Sequence, residues 1–253
     1  MAVLPGPVLG LPELDGELAP CLPKGWLALL IGQSDTETSL FAKQFAHQAS
    51  EAAPALYYTT YERSEDVAAT FQGLGWEAKA VRILNLQEEY FRHVLSRRLE
   101  VSRVREKGLT LSDLSSPAEP RPPTRSYNLG NRIVSEIAQL DRPFRLVVDS
   151  LDFLLEVLDL AEVMTVARQS RHRAQRFGGQ ALLVVHGEIH ERRVSGLLED
   201  MADIVVELTT VPAGDRFEHR LAVRKVRNHP EQKRTAVLRI GAHGFELGAE
   251  RPG

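Results

Sequence analysis

The chain has 253 residues, 43% of them hydrophobic and 26% charged, and a formal net charge of −3. That length allows one large α/β domain or two small ones, and the charge gives no global attraction for nucleic acid or an anionic membrane. The single cysteine, Cys21, excludes an intrachain disulfide and argues against a cysteine-based metal site.

No apolar run approaches the roughly 20 residues of a membrane span. The N-terminus lacks the basic segment and compact apolar core of a signal peptide, so a cytoplasmic location is expected. Residues 8–25 space Leu11, Leu14 and Leu18 between glycines and prolines, the pattern of an irregular lead-in with one short helical turn. Leu27–Ile31 is a continuous apolar run that predicts a buried parallel strand. It meets Gly32, and a polar loop of Gln33, Ser34, Asp35, Thr36, Glu37, Thr38 and Ser39 leads into a helix with Leu40, Phe41 and Phe45 on one face.

Strand, loop and helix in that order are the setting of a phosphate-binding P-loop, which needs glycines in the bend and a Lys followed by Ser or Thr. Here the first glycine and the final hydroxyl are in place, Thr38 stands where the lysine belongs, and Asp35 and Glu37 occupy positions read as normally glycine. Two carboxylates repel phosphate at short range, but acidic residues also suit a helix N-terminus. The loop reads either as a degenerate nucleotide cradle or as a structural turn.

Ala55–Thr60 is a strand by its aromatic and β-branched content, and Ser64 opens a helix to about Leu74. Ala80–Leu84 is a short strand, and Leu86 to about Lys107 is helical. Residues 108–127, rich in Pro and Ser, are expected to form an exposed insertion loop within one domain spanning 1–253. Asn128–Leu140 is an amphipathic helix, and Phe144–Ser150 is an apolar strand ending in Asp149, the arrangement of a Walker B carboxylate. A helix over Ala161–Phe177 and a strand over Gln180–Val185 ending at His186 follow, then a short helix over Val194–Ala202. Strands at Asp203–Leu208 and Arg220–Val226 precede a terminal hairpin of Thr235–Ile240 and Phe245–Leu247. Two basic stretches, Arg92–Lys107 and Arg168–Arg176, read as solvated helix faces or as a surface for an acidic partner. His186 and His190, with Glu188 and Glu191 near them, suit a strand-end sensor of bound phosphate better than a metal site, for which a third ligand is missing.

Taken together these pieces resemble the KaiC-like branch of the RecA superfamily of ATPases. The resemblance rests on Gly10–Asp15 with Leu22–Gly25, on the loop itself, on Tyr61-Glu62-Arg63, on Leu146–Leu151, on Lys225 and Arg227, and on Ala242–Phe245. It implies a RecA-like α/β fold with a mostly parallel twisted sheet, helices on both faces and a C-terminal antiparallel hairpin. It further implies ATP and Mg²⁺ as cofactors, with Gly32 to Leu40 around the nucleotide, Ser39 and Asp149 on Mg²⁺, and Glu62 as the water-orienting base. Arg63 replaces a second catalytic glutamate and is expected to stabilise the Glu62 charge. His186 would sense phosphate, and Lys225 and Arg227 would reach a neighbouring subunit's nucleotide in a homo-oligomeric ring, a hexamer among the sizes allowed, or a partner protein would take that place. The loss of the lysine and of the second glutamate points to weak or absent hydrolysis and a regulatory or assembly role. The alternatives are a nucleotide-free RecA-fold scaffold and a DNA-binding recombinase relative, and nucleic acid is not the favoured partner.

Overall fold

The computed structural model of the protein describes residues 8–33, 36–94, 128–214 and 216–248. The expected insertion loop at 108–127, most of the basic stretch Arg92–Lys107, and Ser34 and Asp35 lie outside the described residues.

Four apolar segments dictate the centre of the molecule. β1 (Trp26–Gly32), β2 (Ala55–Thr59), β4 (Arg145–Asp149) and β5 (Gln180–His186) are buried along almost their whole length. Strands that are apolar on both faces need cover on both, and parallel pairing with helical crossovers supplies it. With β3 (Val81–Asn85), β6 (Ile204–Ala213), β7 (Arg216–Val226), β8 (Arg234–Gly241) and β9 (Gly244–Leu247) they form one nine-stranded sheet of order β3-β2-β4-β5-β1-β6-β7-β8-β9. Pairing is parallel from β3 across to β6 and antiparallel from β6 to β9. This is the RecA-like α/β architecture expected from the sequence, including its terminal hairpin.

The two-residue period of the strands divides the core. Trp26, Ala28, Leu30, Tyr57, Val147 and Val184 face the side covered by the lead-in helix α1 (Pro12–Leu18), α2 (Thr38–His47) and α3 (Ser64–Gly73). Leu27, Leu29, Tyr58, Val148 and Val185 face the other side. There they meet α5 (Leu129–Ile137), α6 (Leu151–Val157), α7 (Leu160–Phe177) and α8 (Arg192–Met201). Helix α4 follows β3 directly and is described over 86–94.

Two buried polar residues fix the chain around the loop helix. Asp15 accepts the backbone N–H groups of Leu9, Gly10 and Leu11 at 2.6, 2.9 and 3.2 Å, which closes the lead-in. Gln44 of α2 donates to the carbonyls of Gly10 and Phe245 at 2.8 and 2.9 Å and accepts from Phe245 N–H at 2.6 Å. One amide side chain thereby ties the lead-in, the loop helix and the last strand together. The seven-residue helix α6 was not expected, because its apolar run shows no helical period until Asp152 is placed in its first turn. Strands β6 and β7 are longer than expected, since their outer halves are partly exposed and carry no apolar pattern.

Candidate functional site

The carboxyl ends of β1, β2, β4 and β5 meet at one edge of the sheet, the usual place for a site in an open α/β sheet. After Gly32 the chain turns at Gln33, whose carbonyl accepts from Thr36 N–H at 3.2 Å and from Thr36 Oγ1 at 2.7 Å. Glu37 then takes φ 53 and ψ 37, the left-handed conformation, and Thr38 begins α2. A glycine adopts that conformation freely, whereas a side chain costs about 1–2 kcal/mol. Glu37 thus stands in a conformation that favours glycine, at the position where the P-loop pattern has one. A Cβ at Gly32 would strike the side chains of Thr36 and Thr38, so the loop folds back tightly over the end of β1. Leu40 packs against the core, half-buried.

Ser39, one residue into α2, lies 2.8 Å from Glu62 Oε1 and 2.5 Å from Asp149 Oδ2. The three positions expected around the catalytic centre therefore meet. Tyr57 of β2 donates to the same Asp149 oxygen at 2.5 Å, and Lys43 of α2 lies 2.6 Å from Glu62 Oε1. A serine has one hydroxyl proton, so it serves one carboxylate at a time, and its second short contact needs a proton on the partner. Burial pushes the Asp149 carboxyl up, more than the bonds from Ser39 and Tyr57 and the Lys43 charge pull it down. Burial thus favours a proton on Asp149, while Glu62 Oε1 faces the Lys43 ammonium.

The cation on Glu62 is not the expected one. Arg63 turns away and forms a two-pronged pair with Asp66 at 2.8 Å from each nitrogen, exposed in the first turn of α3. Lys43 takes the place instead, on a side chain only 6% exposed.

His186, at the end of β5, faces Thr38 Oγ1 across 3.3 Å through Nε2. Its Nδ1 lies 2.5 Å from Asp152 Oδ2, and His190 Nε2 lies 2.6 Å from Asp152 Oδ1. Ser150 Oγ donates to Asp152 as well, at 2.5 Å. The two histidines thus clamp one buried carboxylate at the start of α6. Among the described residues no group of three or more His, Cys, Asp or Glu side chains is placed to hold a metal ion. The hydrogen bond to Asp152 holds His186 above the usual histidine value against the opposing effect of burial. Burial also works against the Asp152 charge, but the bonds from His186, Ser150 and His190 outweigh it and hold that carboxyl low.

The sign of the pH dependence follows by linkage. A histidine raised on folding stabilises the fold fully below its unfolded value of about 6.5 and loses that contribution as pH climbs through its folded value. A carboxyl held low contributes above about 3.9 and loses its share as pH falls. Wild-type stability in urea is therefore expected to decline as pH climbs above about 6.5, and His186→Gln is expected to lose most of that slope. Equal slopes in the two proteins would remove His186 as the source.

Thr38, Ser39, Glu62, Asp149 and His186 line one small cleft of about 200 Å³, together with Glu37, Thr59 and Tyr61. Lys225 and Arg227 are not brought to it. Lys225 Nζ donates to the carbonyls of Glu199 and Asp200 at 2.6 and 3.0 Å, and Arg227 donates to Asp200, Met201 and Ala202 and pairs with Asp203. Both close the C-terminal end of α8 within the chain. Arg224 directly precedes Lys225 in sequence and lines a larger cavity of about 450 Å³ beside Glu199 and Glu207. The basic stretch on α7 is also partly spent internally, Arg171 on Asp203 and Arg173 on the Leu140 carbonyl and the Phe177 ring. Among the described residues no helix is long and apolar enough to cross a membrane.

The model of the KaiC ATPase family matches residues 9–251. A crystal structure of a KaiC-like protein from the hyperthermophilic archaeon Pyrococcus horikoshii OT3 superposes with a TM-score of 0.61 at 18% identity, covering 95% of this chain and 97% of that one. At that identity the likeness speaks for the fold alone. No curated protein matches the chain in sequence.

Proposed function

The chain belongs to the KaiC ATPase family, and from that premise we propose that it binds ATP weakly at the Gly32–Ser39 loop, hydrolyses it very slowly or not at all, and serves as a regulatory or assembly subunit of a homo-oligomer. The observation that carries this reading is Glu37 in the left-handed conformation. The P-loop pattern places a glycine at this position, and a glutamate held at φ 53 supports a loop that has kept a glycine-like backbone there. The first amides of α2 have no partner inside the helix, and a helix N-terminus of that kind favours an anion at the loop.

The residues fit a phosphate by backbone and by the His186 imidazole behind Thr38 Oγ1. They fit a divalent metal poorly, because Ser39 Oγ, Asp149 Oδ2 and Glu62 Oε1 are engaged with one another, with Tyr57 and with Lys43. Bound ATP would supply the phosphoryl group, and this chain's own part would be to hold it and exclude water. Slow turnover is supported by Glu62, whose Oε1 is already engaged by Ser39 and Lys43 before any water is oriented. An interface between subunits is supported by exposed apolar side chains, Ile189 and Leu197 by α8 and Phe217 on β7. The trans role of Lys225 and Arg227 would require both to leave the carbonyls they now cap.

A nucleotide-free scaffold is the second reading, favoured by a cleft of about 200 Å³, below the roughly 300–1,000 Å³ of most ligand pockets. Titration of the purified chain with ATP separates the two. Saturable binding supports the first, and its absence at millimolar ATP leaves the second.

A further inference from the structure

We propose that the ammonium of Lys43 is the resident cation of the Ser39–Glu62–Asp149 cleft and closes it to divalent metal, so that any anion held at the loop is taken without Mg²⁺. This deepens the reading above, although its central test needs no nucleotide.

Lys43 lies four residues after Ser39 on α2, which puts the two side chains on one helical face. Its side chain is 6% exposed, and its nitrogen is 2.6 Å from Glu62 Oε1. A buried ammonium is costly unless an anion balances it, and Glu62 is that anion. Ser39 shares the same carboxylate oxygen, and its second contact, with Asp149 Oδ2, competes with Tyr57. Ser39 Oγ, Glu62 Oε1 and Asp149 Oδ2, with which a hard cation would begin its coordination shell, are thus already engaged with one another, with Tyr57 and with Lys43.

Charge decides the matter. A divalent ion at Ser39 would stand within one side-chain contact of a fixed positive charge. Like charges a few Å apart in a partly buried site repel by several times what they do in water. Its six oxygen ligands would also have to be found where Asp149 is buried under Tyr57. Phosphate faces the opposite balance, because a neutralised Glu62 no longer repels it.

Manganese is the probe, since its spectrum disappears from solution on binding. Mn²⁺ is titrated against the full chain by electron paramagnetic resonance, without nucleotide, for wild type, Lys43→Met and Lys43→Arg. The wild type and the arginine variant are expected to bind no Mn²⁺ below millimolar concentration. The methionine variant removes the charge at nearly constant volume and is expected to gain a site at least about tenfold tighter. Lys43→Gln runs in parallel, so that a failure of the methionine variant to fold leaves a second charge-free protein to measure. Mn²⁺ binding by the wild type in the micromolar range would overturn the proposal. So would a folded Lys43→Met or Lys43→Gln protein that still binds none, because the metal would then be excluded by something else. If ATP binds the wild type, equal affinity in EDTA and in Mg²⁺ supports the same conclusion and a strict need for Mg²⁺ contradicts it. If ATP does not bind, the functional reading fails while the manganese experiment still decides the role of Lys43.

Discussion

Asp203→Ala is expected to destabilise the fold by about 3–5 kcal/mol, the usual loss when one partner of a buried ion pair is removed. Asp203 is 1% exposed. Its carboxylate pairs with Arg171 at 2.7 and 3.2 Å and with Arg227 at 2.9 Å, and it accepts the Leu27 N–H at 3.1 Å. Alanine there would leave two guanidinium groups facing each other over an unsatisfied amide at the root of β1. The burial is local, so the urea midpoint should fall with an unchanged slope of stability on urea. A loss under about 1 kcal/mol would mean that water reaches and solvates the arginines. The same geometry changes how Arg227 is to be tested. Replacing it removes a clasp within the chain before it removes anything at a neighbour, so a lost oligomer in Arg227→Ala carries no weight unless the monomer's stability is measured beside it.

Thr38→Lys is expected to tighten ATP binding by roughly tenfold or more, the worth of a hydrogen bond to a charged group at about 1.5–3 kcal/mol. Thr38 opens α2 and lines the cleft together with Glu37, Ser39 and His186. A lysine at that point can extend into the cleft, although it must give up the packing of the threonine methyl over Gly32. It also sets a second cation beside His186, whose hydrogen bond to Asp152 keeps it above its usual value, so the gain should be larger at pH 8 than at pH 6. Turnover is not expected to follow from this change alone. Arg63 is bonded to Asp66, outside the cleft, so Arg63→Glu leaves the Lys43 contact on Glu62 in place. Unchanged affinity in a folded Thr38→Lys protein would show that the loop does not cradle phosphate.

What the sequence made legible is whatever has a local signature. Leu27–Ile31, Arg145–Asp149 and Ala181–Val185 are short apolar runs, and each is a fully buried strand. Asp149 ends one of these runs, Glu62 follows the strand Ala55–Thr59, and Ser39 stands at the start of the helix after Leu27–Ile31, so placing the strands also brought these residues together. Lys43 could not be found this way, since a lysine inside a helix reads as a solvated residue until the helix is docked. Tyr57 read as a strand-forming aromatic, and its hydroxyl acquires a role only when β2 pairs with β4. Asp152 was hidden in an apolar stretch. The density of charge at Arg224, Lys225 and Arg227 was visible, but its acceptors, the last carbonyls of α8 and Asp203, come from another part of the chain. A left-handed glutamate has no sequence signature at all, and Glu37 became informative only as a backbone conformation.

The central claim, a phosphate cradle kept in its backbone and weakened in its charge, is tested most directly by equilibrium dialysis of ATP against the wild-type chain. The account predicts one saturable site per chain with a Kd of roughly 0.1–1 mM, the affinity left when one charged contact is lost from a micromolar site. It also predicts that dialysed ATP is recovered intact. No saturable binding up to several times that concentration, on a protein whose fold is intact, would contradict it and leave the chain as a RecA-fold scaffold.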